Sequence, residues 1–126
     1  MKFTSLALSS LLALSPLAAH QVWVEAESFK NPGGWVIDTQ FIDIMGSPYL
    51  MAHGMGTPVK NASTKVVLPA KGKYHLWART KNWAPGNWEA PGQFQIAING
   101  QKASHVFGKI PNWTWEYAGE VAVNSK

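Results

Sequence analysis

The spacing of Gly and Pro argues against a helical fold for this chain. Downstream of residue 19, no stretch of eleven residues places apolar side chains at i, i+3, i+4 and i+7 without a Gly or Pro inside it. That period is what an amphipathic helix requires. Short β-prone runs recur instead, over 22–29, 35–41, 64–68, 74–80, 94–98, 104–107, 113–117 and 120–123. Tyr74, Leu76 and Ala78 alternate with His75, Trp77 and Arg79, the period of two that separates the faces of a strand. Asn31-Pro32-Gly33-Gly34 forms a turn ahead of 35–41. Asn99-Gly100 suits the positive φ angles of a type I′ hairpin turn. Seven or eight short strands separated by turn residues predict an all-β fold, an antiparallel β-sandwich.

Residues 1–19 read differently from the rest. Lys2 precedes an uncharged run from Phe3 to Leu14, Pro16 breaks it, and Ala18 and Ala19 supply small residues before a cut. This is the pattern of a secretory signal peptide. The run falls short of the ~20 strongly apolar residues that a transmembrane helix needs. Cleavage after Ala19 predicts a domain over 20–126, located in the periplasm or outside the cell. There is no cysteine among the 126 residues. An exported domain without disulfides depends on packing, or on a metal ion, for stability.

Charge is sparse. Only 14% of residues are Asp, Glu, Lys or Arg, against about 25% in an average soluble domain. Arg79 is the only arginine, the lysines are scattered, and the formal net charge of +4 includes Lys2. A nucleic-acid binder gathers its cations on one face; no such cluster is present, and neither a nucleic-acid nor a membrane partner is expected. The compositional excess is in tryptophan, with seven in the chain.

Trp83 and Trp88 stand five residues apart in the Gly/Pro-rich stretch 81–92, flanked by Asn82, Asn87 and Glu89. A sugar ring has an apolar C–H face and a rim of hydroxyls. Loop tryptophans can stack on the face while amides and a carboxylate read the rim. Packing of the same tryptophans over the ends of the core is the competing reading. Trp113, in Pro111-Asn112-Trp113, is a further candidate for sugar contact, and Trp35 is left unassigned between the two roles. Trp23, Trp77 and Trp115 lie inside strand patterns and are expected to pack the core. Glu25 and Glu27, at i and i+2, would share one face of a strand. A Ca²⁺ ion between them and a solvent-facing pair are both compatible with that spacing. No Gly-x-Ser-x-Gly, phosphate-binding or dinucleotide-binding glycine pattern is present.

Taken in order, several segments resemble one family. Val24-Glu25-Ala26-Glu27-Ser28-Phe29 is similar to the opening strand of galactose-binding-like carbohydrate-binding modules. Gly72, Tyr74 and Arg79 match a strand of those modules, and Phe94-Gln95-Ile96-Ala97-Ile98-Asn99-Gly100 matches another with its turn. Asn31-Pro32-Gly33-Gly34-Trp35-Val36, Met45-Gly46-Ser47-Pro48-Tyr49-Leu50 and Ala52-His53-Gly54 look like the N-terminal module of some secreted bacterial FAD-dependent oxidoreductases. That module is similar to the domain found in golvesin and xanthan lyase. The resemblance runs from Val22 to about Val123. It implies a jelly-roll-like sandwich, a structural Ca²⁺ held in part by Glu25 and Glu27, and sugar stacking on loop aromatics such as Trp83 and Trp88. It also implies that the last strand or two of the family lie beyond Lys126, as in a piece of a larger secreted enzyme.

The function expected from these readings is carbohydrate binding without catalysis, with no FAD held by this chain. One alternative is an accessory domain that packs on a catalytic domain absent from this chain and binds no sugar. A remote second alternative is enzymatic. An N-terminal His20, with its amine and imidazole, resembles half of the copper-binding histidine brace of lytic polysaccharide monooxygenases, with His53, His75 or His105 as the second ligand. Mass spectrometry of the secreted protein is expected to show a chain beginning at His20; any other start eliminates the brace.

Overall fold

The computed structural model describes residues 19–84 and 91–124. Among them, 35% lie in strands and bridges and 7% are helical, so the expectation of a β-rich chain holds. The strands are β1 (Trp35–Asp38), β2 (Tyr49–Ala52), β3 (Gly72–Thr80), β4 (Ala97–Ile98), β5 (Gln101–Lys102) and β6 (Thr114–Val123). They pair antiparallel as three ribbons, β1 with β2, β3 with β6, and β4 with β5. One helical turn, α1 (Ile42–Met45), stops at Gly46, which takes the left-handed conformation that ends many helices.

The β3–β6 ribbon is the largest element. Its register runs from Gly72 opposite Val123 to Thr80 opposite Thr114, and it shifts between Leu76 and Trp77. Leu76 faces Gly119 and Trp77 faces Tyr117, which leaves Ala118 as the extra residue of a bulge. Gly119 has φ +102°, a conformation that a side chain would strain. The bulge joins into one strand what the sequence reading separates as 113–117 and 120–123. The β4–β5 hairpin turns at Asn99-Gly100, with φ of 51° and 81°, as its sequence predicts.

Several runs are shorter than their β-propensity suggests. Ala26–Ser28 forms a 3₁₀ turn in place of a strand. In 64–68 and 104–107 the ladder is reduced to single bridges nearby, Asn31 with Ser63 and Phe94 with Phe107. Conversely, β2 falls outside every run expected to be a strand. Tyr49-Leu50-Met51-Ala52 is a four-residue apolar run hidden among Gly and Pro, and it gains a ladder only through β1.

The core forms on one side of the β3–β6 ribbon. Ala103, Phe107 and Ala118 are buried, with Leu76, Ala78, Phe94 and Ile96 packed against them. Phe107 is 0% exposed, and its ring stacks on Phe94 with centroids 5.3 Å apart. The placement of the strand tryptophans reverses the expectation that they fill this core. Trp23 is 68% exposed, Trp77 54% and Trp115 49%. The alternation of β3 is as read, but the inward face carries Leu76 and Ala78, which pack against the cluster that holds Ala118 of β6. Those small side chains leave room for Phe107, and the larger rings take the opposite face.

Replacing Phe107 with Ala is expected to destabilise the protein by about 3–5 kcal/mol, read as a fall in the urea midpoint of the far-UV circular dichroism transition. A loss below about 1 kcal/mol would show that the ring is not central to the core.

Candidate functional site

Asp38 ends β1 and Gln40 follows two residues later. The Asp38 carboxylate accepts a short hydrogen bond from the Tyr49 hydroxyl of the neighbouring strand and another from the Gln40 amide N–H, at 3.2 Å. This fixes the backbone of Gln40, and its side chain then accepts the indole N–H of Trp83 at 2.9 Å. The His53 ring meets Trp83 edge-on, with centroids 6.0 Å apart and planes at 89°. Trp83 is 39% exposed, so it combines an open ring surface with a fixed pose.

Asn82 holds the loop next to that ring. Its backbone N–H donates to the Ile110 carbonyl at 2.6 Å, and its side-chain oxygen accepts from the Ala84 N–H at 3.2 Å. The second bond closes an Asx turn around Trp83. Lys81 donates to the Pro111 carbonyl and lies over the Phe41 ring, 5.1 Å from its centroid. The start of the 81–84 segment is therefore tied to 110–111. Asn87, Trp88 and Glu89 lie outside the described residues, so the structure brings together Asn82 and Trp83 from the expected set. It adds Gln40, His53 and Asp38. Sequence reasoning did not place these three beside Trp83, because a pair of strands, and not local spacing, carries them there; His53 enters it only as a candidate copper ligand. The mixed run Asp38-Thr39-Gln40 at the end of an apolar strand was the one available signal.

Trp113 has a different environment from that expected of a sugar-contacting ring. It lies 4.9 Å from Tyr49 and 6.2 Å from Phe41, centroid to centroid, and its indole N–H is buried with no hydrogen-bond partner among the described residues. It builds an aromatic cluster beneath the Trp83 segment. Trp35 packs edge-on against Phe94, 5.4 Å away.

The carboxylate pair also differs from its expected geometry. Glu25 directly precedes the 3₁₀ turn Ala26–Ser28 and Glu27 lies within it, so the alternation that would put both on one strand face does not apply. Calcium takes six to eight oxygen ligands. Among the described residues no group of three or more His, Cys, Asp or Glu gathers to hold a metal.

The electrostatics of the site centre on Asp38 and Tyr49. The Tyr49 hydroxyl, helped by the Gln40 and Thr39 amides and the His53 charge, holds the Asp38 carboxyl below its ordinary value against the opposing effect of burial. Burial, with the hydrogen bond to Asp38, pushes the Tyr49 hydroxyl up to about 12. No protein-family model, curated protein or solved structure matches this chain.

A lowered carboxyl contributes stability above its unfolded value near 3.9, and that contribution is lost as pH falls through the folded value. A raised phenol contributes below its unfolded value near 10, and the contribution is lost as pH rises from about 10 towards 12. The difference in melting temperature between the wild type and Tyr49→Phe is therefore expected to peak at neutral pH and shrink in both directions. A constant difference from acid to pH ~11 would refute the coupling.

Proposed function

We propose that this chain is a secreted, non-catalytic module of jelly-roll-like architecture that binds carbohydrate. The observation that carries the reading is the half-open Trp83 ring, fixed by Gln40 and bordered by His53 and Asn82. A pyranose presents C–H groups to an indole face and hydroxyls at its edge. A ring with imidazole and amide neighbours offers both kinds of contact. Ring orientation set before binding reduces the ordering cost at the moment of association. Asn87, Trp88 and Glu89 extend this site in the proposal, as the sequence pattern suggests. The likeness of the chain's segments to galactose-binding-like modules supports the same class of ligand. Export agrees with a ligand found outside the cell. Among the described residues no helix is long and apolar enough to cross a membrane.

Titration of the protein with soluble neutral polysaccharides, followed by tryptophan fluorescence, tests the reading. One stacked indole contributes about 1–2 kcal/mol, so Trp83→Ala is expected to weaken binding roughly 5- to 30-fold. Affinity unchanged in Trp83→Ala would remove Trp83 from the ligand site, and the absence of any response to every glycan in the wild type would sink the proposal.

A further inference from the structure

The outward face of the β3–β6 ribbon carries more exposed aromatic surface than the fold explains. Trp77 and Tyr117 occupy one rung of the ladder, their ring centroids 4.9 Å apart and their planes at 39°; Tyr117 is 41% exposed. Trp115 lies two rungs along on the same face, opposite Arg79, and a diagonal neighbour across such a ribbon stands about 7–8 Å away. Trp23 meets Trp115 edge-on at 5.8 Å. Four large rings thus line one side of a ribbon whose other side packs the core. Contiguous exposed apolar surface of this kind marks an interaction site.

The polar groups beside the rings narrow the partner. Lys73 is neutralised by Glu120 at 3.1 Å. Arg79 is turned aside to the Ile44 and Met45 carbonyls at the end of α1, at 3.2 and 3.4 Å. A nucleic acid or an anionic lipid surface would need cations left free for phosphate. The face instead presents hydrogen-bonding groups along its rim. His75 Nδ1 pairs with the Tyr117 hydroxyl at 2.8 Å, and its Nε2 stands 3.9 Å from Glu120. Aromatic rings, compensated charge and a hydroxyl-reading rim together match the chemistry of an uncharged polyhydroxylated chain.

We propose that the outward face of the β3–β6 ribbon is a second carbohydrate-binding surface, which lays the chain of a neutral polysaccharide along Trp77, Tyr117 and Trp115. The inference rests on the carbohydrate reading for its ligand class, but it invokes different residues from the Trp83 site. Rings held by strand backbone need no loop ordering, so this surface suits a solid or extended polymer.

Depletion of the full secreted chain by microcrystalline cellulose, chitin and insoluble xylan tests it, with soluble polygalacturonate as the charged comparison. The wild type is expected to adsorb to at least one neutral polymer, with little response to added salt, and to bind polygalacturonate no better. The exposed pair Trp77→Ala/Tyr117→Ala is expected to lose adsorption on the order of thirtyfold, whereas Trp77→Phe/Tyr117→Phe retains most of it. Near-UV circular dichroism confirms that the variants fold. Adsorption that survives the Ala pair overturns this inference, whereas the titration of Trp83→Ala with soluble polysaccharide reads the loop site separately, so the two readings fail independently. No adsorption to any neutral polymer overturns it as well. Sedimentation showing a dimer that the Ala pair dissolves would assign the face to a second copy of the chain instead.

Discussion

A buried carboxylate fixes the ribbon on which the rest of the fold is built. Glu116 points inward from β6 and is almost inaccessible to solvent. An unpartnered charge there would be costly, but both oxygens are engaged. Thr80 donates its hydroxyl to one at 2.9 Å, and His105 Nε2 meets the other at 2.7 Å. Thr80 is 36 positions earlier in the chain, so the contact locks β3 to β6 across a long loop. A slip of one residue would turn Glu116 outward and Trp115 inward, reversing every side chain on the strand. Through His105 the same carboxylate also anchors the segment that carries Phe107.

Where the inward face of that ribbon meets the phenyl rings, its side chains are short for a geometrical reason. Phe107 and Phe94 both come from the chain between β3 and β6 and lie back against it. Leu76, Ala78 and Ala118 leave the depth in which the two stacked phenyl rings lie. Size therefore sorts the side chains in the opposite sense from hydrophobicity alone. The largest apolar groups, Trp77 and Trp115, are placed outside, and their surface becomes available for contact. The outward rings are a consequence of how the core is filled.

The same distinction explains what could be read from the sequence. Turn chemistry and alternation made the β-rich character legible, and Asn99-Gly100 marked its hairpin to the residue. The faces of β3 were legible too, but not which face is buried. That choice is made by Phe107, a residue about 30 positions away from β3 in the chain. Strand 64–68 failed for a related reason, because β-propensity without a partner ladder yields only extended chain. The candidate site was legible at Trp83 and Asn82, where loop composition carries the signal. Gln40, His53 and Asp38 were not, because their proximity depends on the β1–β2 pairing.

That pairing links the buried aromatic cluster to the exposed ring. Tyr49 packs against Trp113 and Phe41 on one side and donates to Asp38 on the other. Asp38 holds the Gln40 backbone, and Gln40 holds the Trp83 indole. Each link removes freedom from the next, so a solvent-facing ring inherits its orientation from a packed interior. The ribbon face reaches the same end by another route, since strand backbone and cross-strand neighbours orient Trp77 and Tyr117 directly. Preorganisation by a hydrogen-bonded relay can be undone at any one member, whereas a ladder distributes it over many backbone bonds. Trp83 should therefore be the more sensitive of the two surfaces to pH and to substitution at a distance, with Tyr49 and Asp38 as the points where that sensitivity enters.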